Sequence, residues 1–465
     1  MPYIGTPPAS ELANLDINGQ KLIIDADADT SITADTDDQI DIEIAGADDF
    51  QFTANTFTAA ASSVVALDDG AVATPSLTTT GDLDSGIYFP AADTVGVVAG
   101  GTEQFRFGSN PIPGGNKNLL INGDMKVAQR GTSFTGITSS QYTLDQWYWL
   151  DSGTTSMAVT ITQDTDVPTV AEAGVNFENS LKIDVTTAET LGTNEQVSLR
   201  QIIEAQNVTF LGHGSAGALD CTLSFWVKST KTGIFCVFVQ RPDGSRNYTV
   251  EVTIDTTNTW EKKSMVIAGD TSGTAIADDT GEGLNIVFAM AYGSDNDSAT
   301  ADVWESDSAS TRVTSNQVNL MDSTSNNVLF TGVQFEVGSI PTSFQQSLIS
   351  DELARCERYF QRYKSSAANR RFAQGHNSST TVAYLVMHLR TSMRVAPTTS
   401  VNDATDFTVQ SGATSRTTTA LAAAGVPSQD QVLLQATVGV AFIAGQGCNV
   451  VSASGNSLID HSAEL

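Results

Sequence analysis

One stretch limits the possible folds more than any other. Phe330 to Lys364, FTGVQFEVGSIPTSFQQSLISDELARCERYFQRYK, runs from an alternating apolar segment through a Gly/Pro turn into a helix signal. Val333, Phe335 and Val337 alternate with Gln334 and Glu336, the pattern of a half-buried strand. Gly338 and Pro341 stop it. Ser350 is placed to cap a helix with Asp351 and Glu352 in its first turn and Arg358 and Arg362 near its end, the charge order a helix dipole favours. Ile349, Leu353, Cys356, Phe360 and Tyr363 recur at alternating spacings of four and three, as on a coiled-coil seam. A helix of about 15 residues is marginal alone in water, so this one needs a partner. Either it packs on the β domain that precedes it, or copies from several chains meet along it.

The rest of the chain favours β structure. Of its 465 residues 40% are apolar and only 16% charged, with Thr, Ser, Ala, Gly and Asn abundant. The length allows two or three domains. The net charge of −30 argues against nucleic acid as a partner, since that affinity comes largely from Lys and Arg neutralising phosphates. The acidity is uneven. Residues 1–112 hold 18 acidic and 2 basic side chains, whereas residues 349–465 hold 8 and 9. The four cysteines, Cys221, Cys236, Cys356 and Cys448, have neither metal-ligand spacing nor the density of a disulfide framework. The N-terminus MPYIGTPPASE lacks a basic n-region and an apolar h-region, so no secretory signal is expected. The longest apolar run, near Val432 to Ala444, is too short and interrupted to span a bilayer, and no membrane insertion is expected.

Along the chain, residues 1–22 read as a terminal peptide that docks onto another component, with Pro7 and Pro8 opposing regular structure. Residues 23–112 read as a degenerate β repeat. Residues 31–57 lie beside 76–107: both open Ser-Ile/Leu-Thr, pass an Asp-rich turn, enter an Ile-led strand, turn at Ala-Asp and end on an alternating Phe segment. Such a unit has one apolar face and no room for its own core, so it needs a neighbour, and two repeats favour another chain over a solenoid. Asp25, Asp27 and Asp29, with Asp35, Asp37 and Asp38, invite a calcium reading, but Thr30 and Thr36 stand where an EF-hand loop needs Gly and Glu. They read as solvated turns, and no metal or cofactor is expected. After a linker at 110–118, residues 113–348 show strands at Thr222 to Lys228, Ile234 to Gln240, Tyr248 to Ile254, Lys262 to Ile267, Leu284 to Ala291 and Val328 to Val337, spaced as in a β-sandwich. Residues 349–364 form the helical neck. Residues 365–465 read as a small separate β domain with strands near Thr380 to Leu389, Thr405 to Gln410, Gln431 to Val440 and Val450 to Ser454.

Three stretches and the ending resemble phage tail fibre proteins. TGDLDSGIYFPAADTVGVVAGGTEQFRF is similar to fibre shaft repeats; NKNLLINGDMKVAQRGTSFTG with YTLDQWYW resembles the opening of a carbohydrate-binding-like jelly roll; FTGVQFEVGSIPTSFQQSLISDELARCERYFQRY resembles that domain's last strand and following helix; and HSAEL resembles a C-terminal tip. The resemblance implies an all-β, elongated homotrimeric fibre with a β-repeat shaft, a jelly-roll sandwich, one short amphipathic helix and a small C-terminal β domain. It implies a virion component, attached to other tail proteins by its N-terminus and adsorbing to host surface polysaccharide or an outer-membrane receptor. Ile349, Leu353, Cys356, Phe360 and Tyr363 would then be the trimer neck.

The residues offer little catalytic chemistry. No carboxylate pair stands out for glycoside hydrolysis, and Asp460-His461-Ser462 are consecutive, which does not by itself give triad geometry. His213, His376, His388 and His461 make no zinc pattern. Glycan binding is the better fit, because sugars are held by aromatic faces with short polar side chains around them. Trp147 and Trp226 lie among apolar residues and read as core; Trp149, two residues from Trp147, could share its face. Trp260 and Trp304, beside polar turns, are candidate platforms. Arg370, Arg371, His376 and Arg390, with Arg394 and Arg416, give the C-terminal region a basic balance suited to an anionic surface glycan. The reading is thus a non-enzymatic tail fibre for host recognition. The alternatives are a fibre with polysaccharide-degrading activity and a structural head or collar fibre without a receptor role.

Overall fold

A computed structural model describes residues 20–34, 36, 38–60, 63–92, 94–107, 117–153 and 155–465. Most of the docking peptide expected at 1–22, and most of the linker, lie outside these residues. The chain is all-β and divides into two compact units, Met1–Ser109 and Asn110–Leu465.

The first unit is built from thin antiparallel meanders. Leu22–Ile23, Ser31–Thr33, Gln39–Ile44, Ala47–Thr53 and Thr56–Ala59 form one sheet; Leu77–Thr79, Asp82–Ala91, Thr94–Ala99 and Thr102–Phe107 form the other. In each, every strand pairs with the next in sequence, as hairpin turns dictate. The two segments aligned by sequence, 31–57 and 76–107, therefore share one strand order. No hydrophobic core cluster draws a described residue from this unit. In the first sheet Asp41 is buried beside the Gln39 amide (2.7 Å), while Ile40, Ile44, Phe52 and Phe57 lie exposed. The second sheet buries Tyr88 and Val98. The Tyr88 ring lies over Gly96, its cross-strand partner, where a Cβ would come within 2.2 Å of the ring.

The second unit opens with a two-sheet sandwich of jelly-roll type. One sheet runs Ser133–Ile137, Ala158–Asp164, Ser180–Thr187, Asn327–Val337, Cys221–Ser229, Glu261–Ile267; the other runs Gln141–Tyr142, Tyr148–Ser152, Gln196–Glu204, Glu282–Tyr292, Gly233–Arg241, Arg246–Ile254, Trp304–Ser306. Alternate residues of the two inner faces fill the core: Ile161, Ile183, Leu223, Phe225 and Val333 from one, Leu199, Val237, Ile286 and Phe288 from the other. Trp147 and Trp149 are fully buried in that core, and all four cysteines are buried and unpaired. Gly332, at φ +60°, makes the bulge where the strand Asn327–Val337 slips register against Cys221–Ser229.

A closed barrel follows, with strand order Arg371–Asn377, Val382–His388, Gln431–Val438, Thr414–Ala423, Phe407–Ser411, Gly447–Ser452. At its base a small sheet pairs Phe360–Lys364 and Thr398–Val401 with Leu458–Ser462. The barrel belongs to the same compact unit as the sandwich and has a hydrophobic core of its own.

The helical neck is corrected accordingly. The helix covers only Ile349–Glu357, starts one residue before the expected Ser350 cap, and has no side-chain cap. Phe360 and Tyr363 belong to the strand Phe360–Lys364, because pairing with Leu458–Ser462 takes the backbone donors a longer helix would have used. Cys356 and Phe360 are buried within their own chain, Leu353 is half-buried, and Ile349 is 58% exposed. The helix seats a polar face on the sandwich. Glu352 accepts from Asn122 N, and Arg355 Nη2 donates to the carbonyls of Asn118 (3.2 Å) and Leu120 (3.0 Å). Just beyond it, the fully buried Glu204 carboxylate accepts from Arg358 (2.7 and 2.9 Å), Tyr359 Oη (3.0 Å) and Gln206 Nε2 (2.6 Å).

Residues 460–465 clasp barrel to sandwich. Arg130, whose guanidinium lies 3.6 Å over the Phe360 ring, pairs with Glu464 at 2.6 Å. Tyr142 Oη donates to Leu465 O (2.7 Å), Arg394 donates to the carbonyls of Ala463 and Glu464 (2.8 and 2.7 Å), and Arg362 binds Asp460 through two nitrogens (2.8 and 2.6 Å). Phe360→Ala is expected to cost about 3–5 kcal/mol in denaturant unfolding, from the cavity beneath Arg130. Ile349→Asp should stay within about 0.5 kcal/mol of wild type. The opposite ranking would restore a long helical neck.

Candidate functional site

Two antiparallel strands of the barrel, Arg371–Asn377 and Val382–His388, meet in the register Gln374↔Val386 and Gly375↔Leu385. Their inward residues Ala373, Ala383, Leu385 and Met387 fill the barrel. Their outer side carries a depression of about 420 Å³ lined by Arg371, Phe372, Ala373, Gln374, Val386 and His388. A second depression, about 290 Å³, is lined by Tyr363, Lys364, Ser366, Arg370, Arg371, Phe372 and Arg390. The two share Arg371 and Phe372 and form one groove. Phe372 is braced edge-on by the buried Phe407 ring at 5.4 Å. Arg390 lies 4.2 Å over the Tyr363 ring, with Nη1 on Glu357 at 2.7 Å. Arg370 and Arg371 are exposed, and neither guanidinium has an acidic partner among the described residues. The groove therefore presents uncompensated guanidinium charge beside two aromatic rings.

Sequence reading named Arg370, Arg371 and Arg390, and the fold brings them together here. It missed Tyr363 as a wall, having assigned it to the neck, and missed Phe372; the tripeptide Arg370-Arg371-Phe372 was the available signal. His376 is exposed on the same strand but lines neither depression. Trp260 and Trp304 lie on the sandwich. The Trp260 indole donates to Asp166 (3.0 Å), which also takes Lys228 at 2.6 Å. Trp304 packs against the sandwich core, with Tyr248 at 5.3 Å and His213 at 5.7 Å, and its N–H goes to Ala268 O.

The remaining candidates take other roles. Asp460, His461 and Ser462 lie on one strand, so alternation turns His461 away from both neighbours. Asp460 is held by Arg362, and buried His461 shares a hydrogen bond with Thr399 Oγ1 through Nδ1 (2.9 Å) while Nε2 has no partner among the described residues. The carboxylates of Asp25, Asp27 and Asp29 come within 4.8 Å of one another, and Asp25 accepts from Thr30 N at 3.3 Å. Among the described residues no helix is long and apolar enough to cross a membrane.

The molecule so described is an all-β protein built on a jelly-roll sandwich. No family model and no curated sequence matches the chain. Solved structures that match part of the chain include the enzymatically active domain of bacteriophage CBA120 tailspike protein 4, at 14% identity and TM-score 0.25, covering 48% of this chain and 22% of that one. They also include TmCBM61 in complex with β-1,4-galactotriose, at 12% identity and TM-score 0.22, covering 48% of this chain and all (100%) of that one. A third is the family 11 carbohydrate-binding module of Clostridium thermocellum with a mixed-linked tetrasaccharide, at 10% identity and TM-score 0.24, covering 46% and 99%. The chain thus spans about a fifth of the tailspike domain it resembles (22%) and nearly the whole of each module.

Burial pushes the His461 pKa down to about 4; Asp460 opposes this and Arg390 adds to it. The unfolded chain takes up this proton near pH 6.5. The folded chain does not until about pH 4, so stability is lost as pH falls between those values. At pH 5 this amounts to about 2 kcal/mol. Denaturant midpoints at pH 7.5 and pH 5 should show His461→Gln losing less stability on acidification than wild type; equal losses would contradict the assignment.

Proposed function

We propose that the chain is a non-enzymatic fibre protein of a phage virion that adsorbs to the host cell surface by binding an anionic glycan in the barrel groove. The observation that carries this reading is the groove itself: Arg370 and Arg371, without carboxylate partners among the described residues, next to Phe372 and Tyr363, in a chain of net charge −30. Such a patch attracts polyanions while the rest of the chain repels them, and the rings offer apolar faces to sugar carbons.

The first unit supports the assembly half of the proposal. Its sheets leave Ile40, Ile44, Phe52, Phe57, Leu77 and Leu83 exposed, apolar surface that other copies would cover in a homotrimer. The N-terminal peptide would attach the fibre to other tail proteins. Three grooves on one fibre would bind by avidity. The reading as non-enzymatic is supported by the separation of His461 from its neighbours and by the locking of Glu204 under Arg358 and Tyr359.

Arg370→Glu with Arg371→Glu should weaken binding to an acidic host polysaccharide by about tenfold or more, with the thermal midpoint unchanged. Wild-type binding should weaken as NaCl rises from about 50 to about 500 mM. Undiminished binding by the double variant would reject the groove. Sedimentation of the full chain should give a trimer; a monomer at micromolar concentration would reject the fibre.

A further inference from the structure

A cleft of about 520 Å³, larger than either half of the groove, opens where the sandwich meets the helix Ile349–Glu357. Three chain segments wall it: Asn118 to Ile121, Gln201 to Phe210, and Arg355 to Tyr359. Its size is that of sites which enclose a small ligand, ~300–1,000 Å³.

The walls are set before any ligand arrives. Glu204 is fully buried and fixes Arg358, Tyr359 and Gln206 by the four bonds described above. Arg355 is fixed by Glu352 (3.3 Å) and by two backbone carbonyls. Locked side chains lose little entropy on binding.

Charge decides the class of ligand. Each cleft arginine is already matched, Arg358 by Glu204 and Arg355 by Glu352, so the cleft offers hydrogen-bond donors without net attraction for an anion. Among the described residues, Arg358 Nη1 and the Asn207 carboxamide have no protein partner, and Gln206 spends its amide nitrogen on Glu204. Leu119, Ile121 and Phe210 are half-buried apolar surface on the same cleft. Neutral polar donors and acceptors beside an aromatic ring fit a hydroxylated ring with one apolar face.

We propose that this cleft is a second ligand site, separate from the barrel groove, and that it takes a neutral saccharide of about one or two rings. Phe210 packs on the sugar's apolar face; Asn207, Gln206 and Arg358 Nη1 meet its hydroxyls. The site stands or falls independently of the groove, whose ligand is charged.

The test uses the full chain with lactose, cellobiose and N,N′-diacetylchitobiose, read by saturation-transfer NMR, and galacturonate oligomers for comparison. At least one neutral disaccharide should bind at millimolar concentration, with affinity changing less than about twofold between about 50 and about 500 mM NaCl. Phe210→Ala and Asn207→Ala, the latter at an exposed position, should each weaken it about tenfold or more, and Arg371→Glu should leave it unchanged. The proposal falls if none of the three binds at about 10 mM. It also falls if binding survives both cleft variants, or disappears with Arg371→Glu. A shift in oligomeric state in Phe210→Ala, with no sugar bound by wild type, would make the cleft a contact between copies and overturn the proposal.

Discussion

The second unit depends on a carboxylate that never meets water. Glu204 ends a central strand of the sandwich, and an isolated buried charge there would cost several kcal/mol. Arg358, Tyr359 and Gln206 remove that cost by filling its acceptor positions. Meeting that demand fixes the chain immediately after the helix. The following strand, Phe360–Lys364, is thereby aimed at Leu458–Ser462, and Arg130 closes over Phe360. One buried anion thus sets the direction in which the barrel leaves the sandwich, the width of the cleft beside it, and the seat of Tyr363 in the groove.

The parts of this arrangement legible in the sequence were those with local periodicity. Strands such as Ile234 to Gln240 and Leu284 to Ala291 alternate strongly because one face fills a large core, and they were placed within a residue or two. Arg371–Asn377 and Thr414–Ala423 were missed, because small and polar residues among their inward positions break the apolar alternation: Ala373 and Asn377 in one, Thr418 beside Leu421 in the other. The neck failed for a different reason. The spacing from Ile349 to Tyr363 is helical, but the partner that converts Phe360–Lys364 into a strand lies about a hundred residues away, as in Arg362 with Asp460 (98 apart). The basic half of the groove was visible as composition. The cleft was not, since its walls come from three segments whose contacts exist only after folding.

The first unit poses the reverse problem. Its alternation was read correctly, yet the apolar members Ile40 and Ile44 lie open while Asp41 is covered. In one chain this arrangement wastes its hydrophobic residues, since burial of apolar area is what normally stabilises a sheet. It becomes sensible when the sheet is one wall of something larger. In the proposed homotrimer the dense negative charge of residues 1–112 would set a limit: copies side by side would repel through these aspartates, so their contact would have to form through apolar strips with the carboxylates turned to solvent or screened.

The small sheet at the base of the barrel has a further consequence. The chain enters the barrel from Phe360–Lys364 and returns through Leu458–Ser462, and these two strands pair with each other. Entry and exit therefore sit about one strand spacing apart, roughly 4.8 Å. A domain joined through so narrow a base is exchangeable. Loops and outer faces of the barrel away from Arg390, Arg394 and Thr398–Val401 can be rewritten without altering the span the sandwich must bridge. On the function proposed above, recognition would diversify on a platform that stays constant.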